Sequence, residues 1–236
     1  MVNDTPSHNG QKLLARCWWQ LATGRARVAR VYSDASRHHV ELVAGQAPPS
    51  LRDLEILVPV LLGRPQKVVA VDTHCSASRV ATAAAKCLRT MGLECQTKDT
   101  PMIVAMMAHA FHRPGALAGL RVHVEAVADG RTLVSVSRPD AELDDMLSPC
   151  EREVVRCRVD GMSYDDIARE RATAVRTVAN QIASAYVKLR ISGRLALLGL
   201  LLGDGRVAAQ GEYFCSAGRV TSLARLPEET TPSHLT

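Results

Sequence analysis

Apolar residues recur along the chain at two different periods. From 12 to 23 (KLLARCWWQLAT) they fall on one face of a helix that Gly24 closes. Residues 25–43 then alternate, with Val28, Arg30 and Tyr32 before a Ser33-Asp34-Ala35-Ser36 turn and His39, Glu41 and Val43 after it, which predicts a β-hairpin. After the break at Ala47-Pro48-Pro49-Ser50, helical spacing returns. It predicts helices over about 51–62 with Ser50 as N-cap, about 65–72 with Pro65 in the first turn, and about 76–91. A further apolar helix, MIVAMMAHAF, starts after Pro101. The same order then recurs. Residues 120–137 (LRVHVEAVADGRTLVSVS) alternate around Asp129-Gly130, a strong hairpin signal, and Ser148-Pro149 supplies an N-cap with Pro at the first helical position. Helices are expected at about 149–160, 163–171, 174–189 and 193–202.

The recurrence has a register. A shift of 98 superposes Ser50 on Ser148, Asp53 on Glu151, Glu55 on Glu153, Gly63 on Gly161, Val69 on Ile167, Ala70 on Ala168, Val80 on Val178, Ala81 on Ala179 and Met91 on Leu189. Between the hairpins the shift is 94, Arg37 falling on Arg131 and Val40 on Val134. The expected fold is therefore α+β, mainly α, with two pseudo-repeats, each a β-hairpin followed by a four-helix unit. The repeats span 11–112 and 118–210, and the polar stretch 227–236 is expected to be a disordered tail.

Composition narrows the function classes. Of 236 residues 47% are apolar and 22% charged, which excludes wholesale disorder and low-complexity architectures. Aromatics are only 3%, so the core must be built from Ala, Leu, Val and Met, and close-packed helices suit it. Twenty-nine Lys and Arg against 24 Asp and Glu leave a net charge of +5, a mild bias toward polyanions. The N-terminus MVNDTPSHNG lacks the basic and apolar regions of a secretion signal, and apolar runs such as 195–202 fall short of the roughly 20 residues that span a bilayer. A cytoplasmic protein with no membrane partner is expected. The seven scattered cysteines, without a C-x-x-C pair, read as reduced thiols.

The segment LSPCEREVVRCRVDGMSYDDIARERATAVRTVANQIASAYVKLRIS resembles the LuxR/GerE-type helix-turn-helix domain of bacterial transcription regulators, over about residues 147–202. Ser148-Pro149 starts the first helix, and Glu151 and Glu153 sit where carboxylates favour the positive helix end. Gly161 permits the next turn, and Asp165-Asp166-Ile167-Ala168 forms the scaffold helix. Thr177-Val178-x-Asn180 opens the recognition helix, with Val178, Ile182 and Ala185 facing inward. The resemblance implies that the outer face of that helix enters the DNA major groove, which makes Arg176, Thr177, Asn180, Gln181, Ser184 and Lys188 the DNA-contacting candidates. Residues 50–93 are a more diverged copy, in which Ser78, Arg79, Thr82 and Lys86 take the same role. Neither reading helix carries an acid, as phosphate proximity requires. There are departures: His74 and Ala172 stand where the family has Gly before the recognition helix, Ala179, Gln181, Ala81 and Ala83 replace basic or His contacts, and Arg171 takes an apolar position.

Other constellations yield to plainer readings. His74-Cys75 and His109-x-x-His112 belong to no paired ligand set, and the carboxylates at Glu151, Glu153, Asp165 and Asp166 are explained as helix-start residues. With no phosphate-cradling Gly loop and no nucleophile elbow, no enzyme, metal or cofactor is expected. Trp18-Trp19 is read as packing over the hairpin. The expected function is sequence-specific binding of double-stranded DNA in transcriptional control, through tandem units acting as a pseudo-dimer, with a homodimer or a protein partner as further options. The alternative is a non-enzymatic protein-interaction module built on degenerate helix-turn-helix repeats.

Overall fold

Serine side chains set where four of the helices begin. Ser50, Ser76, Ser148 and Ser163 each accept a hydrogen bond from the backbone N–H three residues on, and in the last two the N3 carboxylate reaches back to complete a capping box. The structure, a computed structural model, describes residues 7–113, 115, 117, 119–139 and 146–202. Among them it is a mixed α+β fold, mainly helical, with nine α-helices and one four-stranded sheet. Residues 227–236, the end of the expected second repeat beyond 202, and Cys215 lie outside the described residues.

The two hairpins are joined. Strands β1 (Ala26–Ser33), β2 (Arg37–Ala44), β3 (Val122–Val127) and β4 (Arg131–Ser137) lie in the order β1-β2-β4-β3, all antiparallel. In the central β2–β4 ladder Val40 stands opposite Val134, flanked by His38↔Val136 and Leu42↔Thr132. A 94-residue shift carries His38 to position 132 and Leu42 to position 136, so the ladder has a local twofold through Val40 and Val134. The hairpins share the pairs Val28↔Leu42 and Val122↔Val136, then part at a bulge between Val28 and Arg30. That bulge breaks the expected alternation: Val28 faces the core, while Arg30 and Tyr32 face solvent. The turns are locally encoded. Asp34 Oδ1 accepts from the N–H groups of Ser36 and Arg37 at 2.7 and 2.8 Å. Asp129 and Gly130, in the three-residue connection between Val127 and Arg131, take φ of 67° and 69°, left-handed backbone that Asp and Gly tolerate.

One sheet face carries Val28, Val40, Leu42, Val122, Val134 and Val136, all buried. Helices α1 (Ser7–Ala22) and α5 (Met102–His112) cover it and pack against each other. Helix α1 starts several residues before the expected 12 and buries Leu14, Trp18 and Leu21, so Trp18 is a core residue beneath the sheet. Helix α5 is buried continuously from Met102 to Ala110, which its unbroken apolar sequence demands.

Around this centre stand two sets of helices. The first is α2 (Leu51–Leu61), α3 (Gln66–Asp72) and α4 (Ala77–Thr90). The second is α6 (Pro149–Val159), α7 (Tyr164–Glu170) and α8 (Val175–Lys188), followed by α9 (Arg194–Leu201). Each helix of the second set starts 98 residues after its counterpart, 51 to 149, 66 to 164 and 77 to 175. Left-handed backbone recurs at the same offset, at Gly63, His74 and Gly92 and then at Gly161, Ala172 and Arg190. Each set closes its own small apolar cluster: Ile56, Val60, Val69, Ala70, Val80 and Ala83 in the first, Val154, Ile167, Ala168, Val178 and Ile182 in the second. Gly92 ties the first set to the sheet, since a Cβ there would lie 2.3 Å from the Val28 carbonyl oxygen. Among the described residues no helix is long and apolar enough to cross a membrane.

Candidate nucleic-acid interface

The reading helix expected from the sequence, α8, is held by its neighbours. The Ser163–Asp166 box starts α7, the backbone turns through Ala172 at φ 47°, and Thr173 N–H donates to the Ala168 carbonyl at 2.9 Å. Helix α8 then packs on α6 and α7 through Val178, Ile182 and Ala185. This orientation leaves Arg176, Thr177 and Asn180 exposed at its N-terminal end. Gln181 is half-buried, with its Oε1 buried and without a hydrogen-bond partner, so it does not share their face.

Ser184 and Lys188 have a different occupation. Both donate to Glu151 of α6, Ser184 Oγ to Oε1 at 2.7 Å and Lys188 Nζ to Oε2 at 2.7 Å, while Ser148 N–H donates to Oε2 at 2.8 Å. The Lys188 bond above all, then Ser184, holds the Glu151 carboxyl down to about 2. The carboxylate thus binds the last turns of α8 to the first turn of α6. The first set repeats the device with other residues: buried Asp53, at the N3 position of α2, meets Lys86 Nζ of α4 at 3.4 Å. Three of the ten expected contact residues, Ser184, Lys188 and Lys86, are therefore engaged within the protein.

What remains is compact. Arg176, Thr177 and Asn180 on α8, and Ser78, Arg79 and Thr82 on α4, are exposed at the N-terminal ends of two helices with no acid in the first turn. Among the described residues neither Arg79 nor Arg176 has an ion-pair partner, whereas Arg169 and Arg171 are paired with Asp166 and Glu153. An N-terminal turn with free N–H groups, a hydroxyl and a guanidinium can hold a phosphate, and an exposed Asn beside it can reach a base edge.

Two polar arrangements escaped the sequence reading. On the outer face of the sheet, Asp34 Oδ2 lies 2.8 Å from His39 Nε2, His39 Nδ1 lies 2.7 Å from Ser135 Oγ, and Tyr32 stacks on the imidazole at 4.6 Å. Ser135 is buried in the middle of a strand paired on both sides, so the chain of groups clasps β1, β2 and β4 together. The alternation of His39 with its neighbours was visible in the sequence, but its cross-strand partner was not. The second arrangement is a cleft between β1, the start of α5 and α9. His109, fully buried, and His112, half-buried, the two residues weighed as metal ligands, lie in α5, where His112 meets the edge of Trp18 at 6.1 Å. Burial drives their imidazoles down to about 3 and about 4.

Set beside protein-family models, curated proteins and solved structures, the chain matches none of them. The reading of α8 and α4 accordingly rests on the residues themselves.

Proposed function

We propose that the protein is a transcriptional regulator that binds double-stranded DNA through two LuxR-type helix-turn-helix units, one per pseudo-repeat, acting as a pseudo-dimer within a single chain. The observation that carries this reading is the paired geometry. Two helix sets have the same bounds at a 98-residue offset, the sheet between the hairpins has a local twofold at Val40 and Val134, and each set offers an exposed, acid-free helix start with an arginine that has no ion-pair partner among the described residues. Helix-turn-helix proteins read two half-sites by presenting two such helices about a twofold axis. Arg176 and Arg79 neutralise phosphate or meet guanine, and Asn180 meets adenine. His74 and Ala172 adopt the left-handed backbone that glycine supplies in the family, so that departure leaves the turn intact.

The test is capture of fragmented genomic DNA by the purified chain, beside an Arg79→Ala/Arg176→Ala/Asn180→Ala variant. Enrichment of a few loci by the wild type, lost in the variant, is the expected result, with affinity falling steeply as salt rises from about 50 mM. Background recovery by both proteins at low salt would overturn it. One observation favours the second reading, an interaction module that binds protein rather than DNA. Lys188 and Lys86 are drawn to Glu151 and Asp53, which leaves one unpaired cation, Arg176, on α8 and thins the basic face. A binding surface of that kind would respond weakly to salt.

A further inference from the structure

A cleft of about 260 Å³ opens where the two halves meet, walled by β1, the segment 99–103, the α6–α7 turn at Asp160-Gly161 and the first residue of α9. Its polar groups fall into two kinds. Arg194 and His38 are donors with bonding capacity to spare. Arg194 gives one Nη1 hydrogen bond to the Thr100 carbonyl at 3.3 Å, and its buried Nε has no partner. His38 is 3% exposed, its Nδ1 is 2.8 Å from Ser33 Oγ, and its Nε2 is buried without a partner. Burial first, then repulsion from Arg138 and Arg194, pushes the His38 imidazole down to about 4, so it is neutral at pH 7. In the tautomer in which Ser33 Oγ donates to Nδ1, the ring proton sits on Nε2 and that nitrogen is a donor.

The acceptors differ from each other. Asp160 is already matched to Arg138 at 2.7 Å, whereas Asp99 is exposed and makes no ion pair among the described residues. The same wall includes apolar Val31, Met102 and Ile103. A half-buried cation, a neutral N–H donor, an unpaired carboxylate and aliphatic surface lining one cleft match one ligand chemistry. It is a small zwitterion with an apolar body.

We propose that this cleft is a binding site for a free α-amino acid with an apolar side chain, its carboxylate accepting from Arg194 and His38, its ammonium donating to Asp99, and its side chain against Val31, Met102 and Ile103. Buried donors without partners in the protein favour binding, because an incoming carboxylate satisfies groups that are costly to leave unpaired. The walls come from both halves of the chain, so an occupant would pin the α6–α7 turn and α9 against β1 and α5. The proposal stands apart from DNA binding.

The test uses the full chain, thermal denaturation and titration calorimetry, with the twenty standard L-α-amino acids as probes and, for L-leucine, its deaminated counterpart 4-methylpentanoate and its decarboxylated counterpart isoamylamine. A saturable rise in Tm with one or more apolar amino acids is expected, with affinity lower by ~10-fold or more for each counterpart lacking one charge. Asp99→Asn, at an exposed unpartnered position that leaves the fold intact, should lose ~10-fold in affinity for the amino acid and none for 4-methylpentanoate. Arg194→Gln should abolish both. No saturable shift with any amino acid, equal binding of 4-methylpentanoate and leucine, or undiminished binding by Asp99→Asn would each overturn the proposal.

Discussion

Helices α2–α4 and α6–α8 follow one backbone plan and meet different surroundings. In α2, Val58 and Val60 are buried, and the helix packs on α5 as well as on its own partners. At the equivalent positions of α6 stand Arg156, exposed, and Arg158, half-buried with its guanidinium over the Tyr164 ring at 5.0 Å. Both sets reach the main core, the first through Leu57, Val58 and Leu61 and the second through Val155, Val159 and Ala185, but two arginines stand on α6 where α2 has buried valines. Both sets abut α9: a Cβ at Gly63 would fall 2.7 Å from the Ala196 Cα, and α6 packs on α9 directly. Valines commit this stretch of α2 to its neighbours, whereas the arginines leave the same stretch of α6 polar.

The buried histidines should break the comparison most forcefully. His38, His109 and His112 all lie in the first half, with folded-state pKa values held at about 4, about 3 and about 4 by burial. Below pH 6.5 the unfolded chain binds more protons than the folded one, so stability falls with pH by up to ~1.4 kcal/mol per pH unit per histidine until each folded pKa is reached. Glu151 acts in a lower window. Its depressed pKa stabilises the fold above about pH 4.5, and that contribution is lost only as pH falls toward 2. Urea titrations from pH 7 to 4 should show a steep loss, and His109→Gln should flatten it. A flat profile in the wild type would contradict the burial of these rings.

Truncation in the helix sets comes next. Ile182→Ala, at 1% exposure in the second cluster, is expected to cost about 2–5 kcal/mol by urea denaturation, and Ile56→Ala should cost a similar amount in the first. Hydrogen exchange distinguishes them: Ile182→Ala should loosen α6–α8 while α1 and α5 stay protected, whereas Ile56→Ala should weaken the whole molecule. Removing the carboxylate clasps is a smaller change. Glu151→Gln leaves Lys188 without its partner and should cost about 1–3 kcal/mol. The smallest effect runs the other way. Ala174 caps α8 without a side-chain hydrogen bond where Ser76 caps α4, so Ala174→Ser should stabilise the chain by about 0.5–1 kcal/mol, read as a higher urea midpoint.

Much of this was legible in the residues, for identifiable reasons. Helix bounds in the two sets were predictable to within about a residue because Ser50, Ser76, Ser148 and Ser163 announce them chemically and Gly63 and Gly161 end what precedes. The Val40–Val134 equivalence found by alignment reappears as a physical pair across β2 and β4. Pairing between strands so distant in the chain leaves no local signature, so the merging of two hairpins into one sheet was not foreseen. Nor was the bulge after Val28, where no glycine or proline marks the extra residue. At the candidate interface, exposure of Arg176, Thr177 and Asn180 followed from helical period, while the diversion of Ser184, Lys188 and Lys86 depended on tertiary placement of Glu151 and Asp53.

The twofold at Val40 bears on how the chain comes to be made. Strand β2 is interior in the finished sheet, yet it leaves the ribosome well before β4, which lies 94 residues downstream by the Val40–Val134 pair. Throughout that interval it is an open edge. Because the missing strand pairs about a symmetric point, β2 of another nascent chain can meet that edge in the same antiparallel register, centred on Val40. Neighbouring ribosomes on one message present such segments together, and strand exchange between siblings is the characteristic misassembly that this architecture invites.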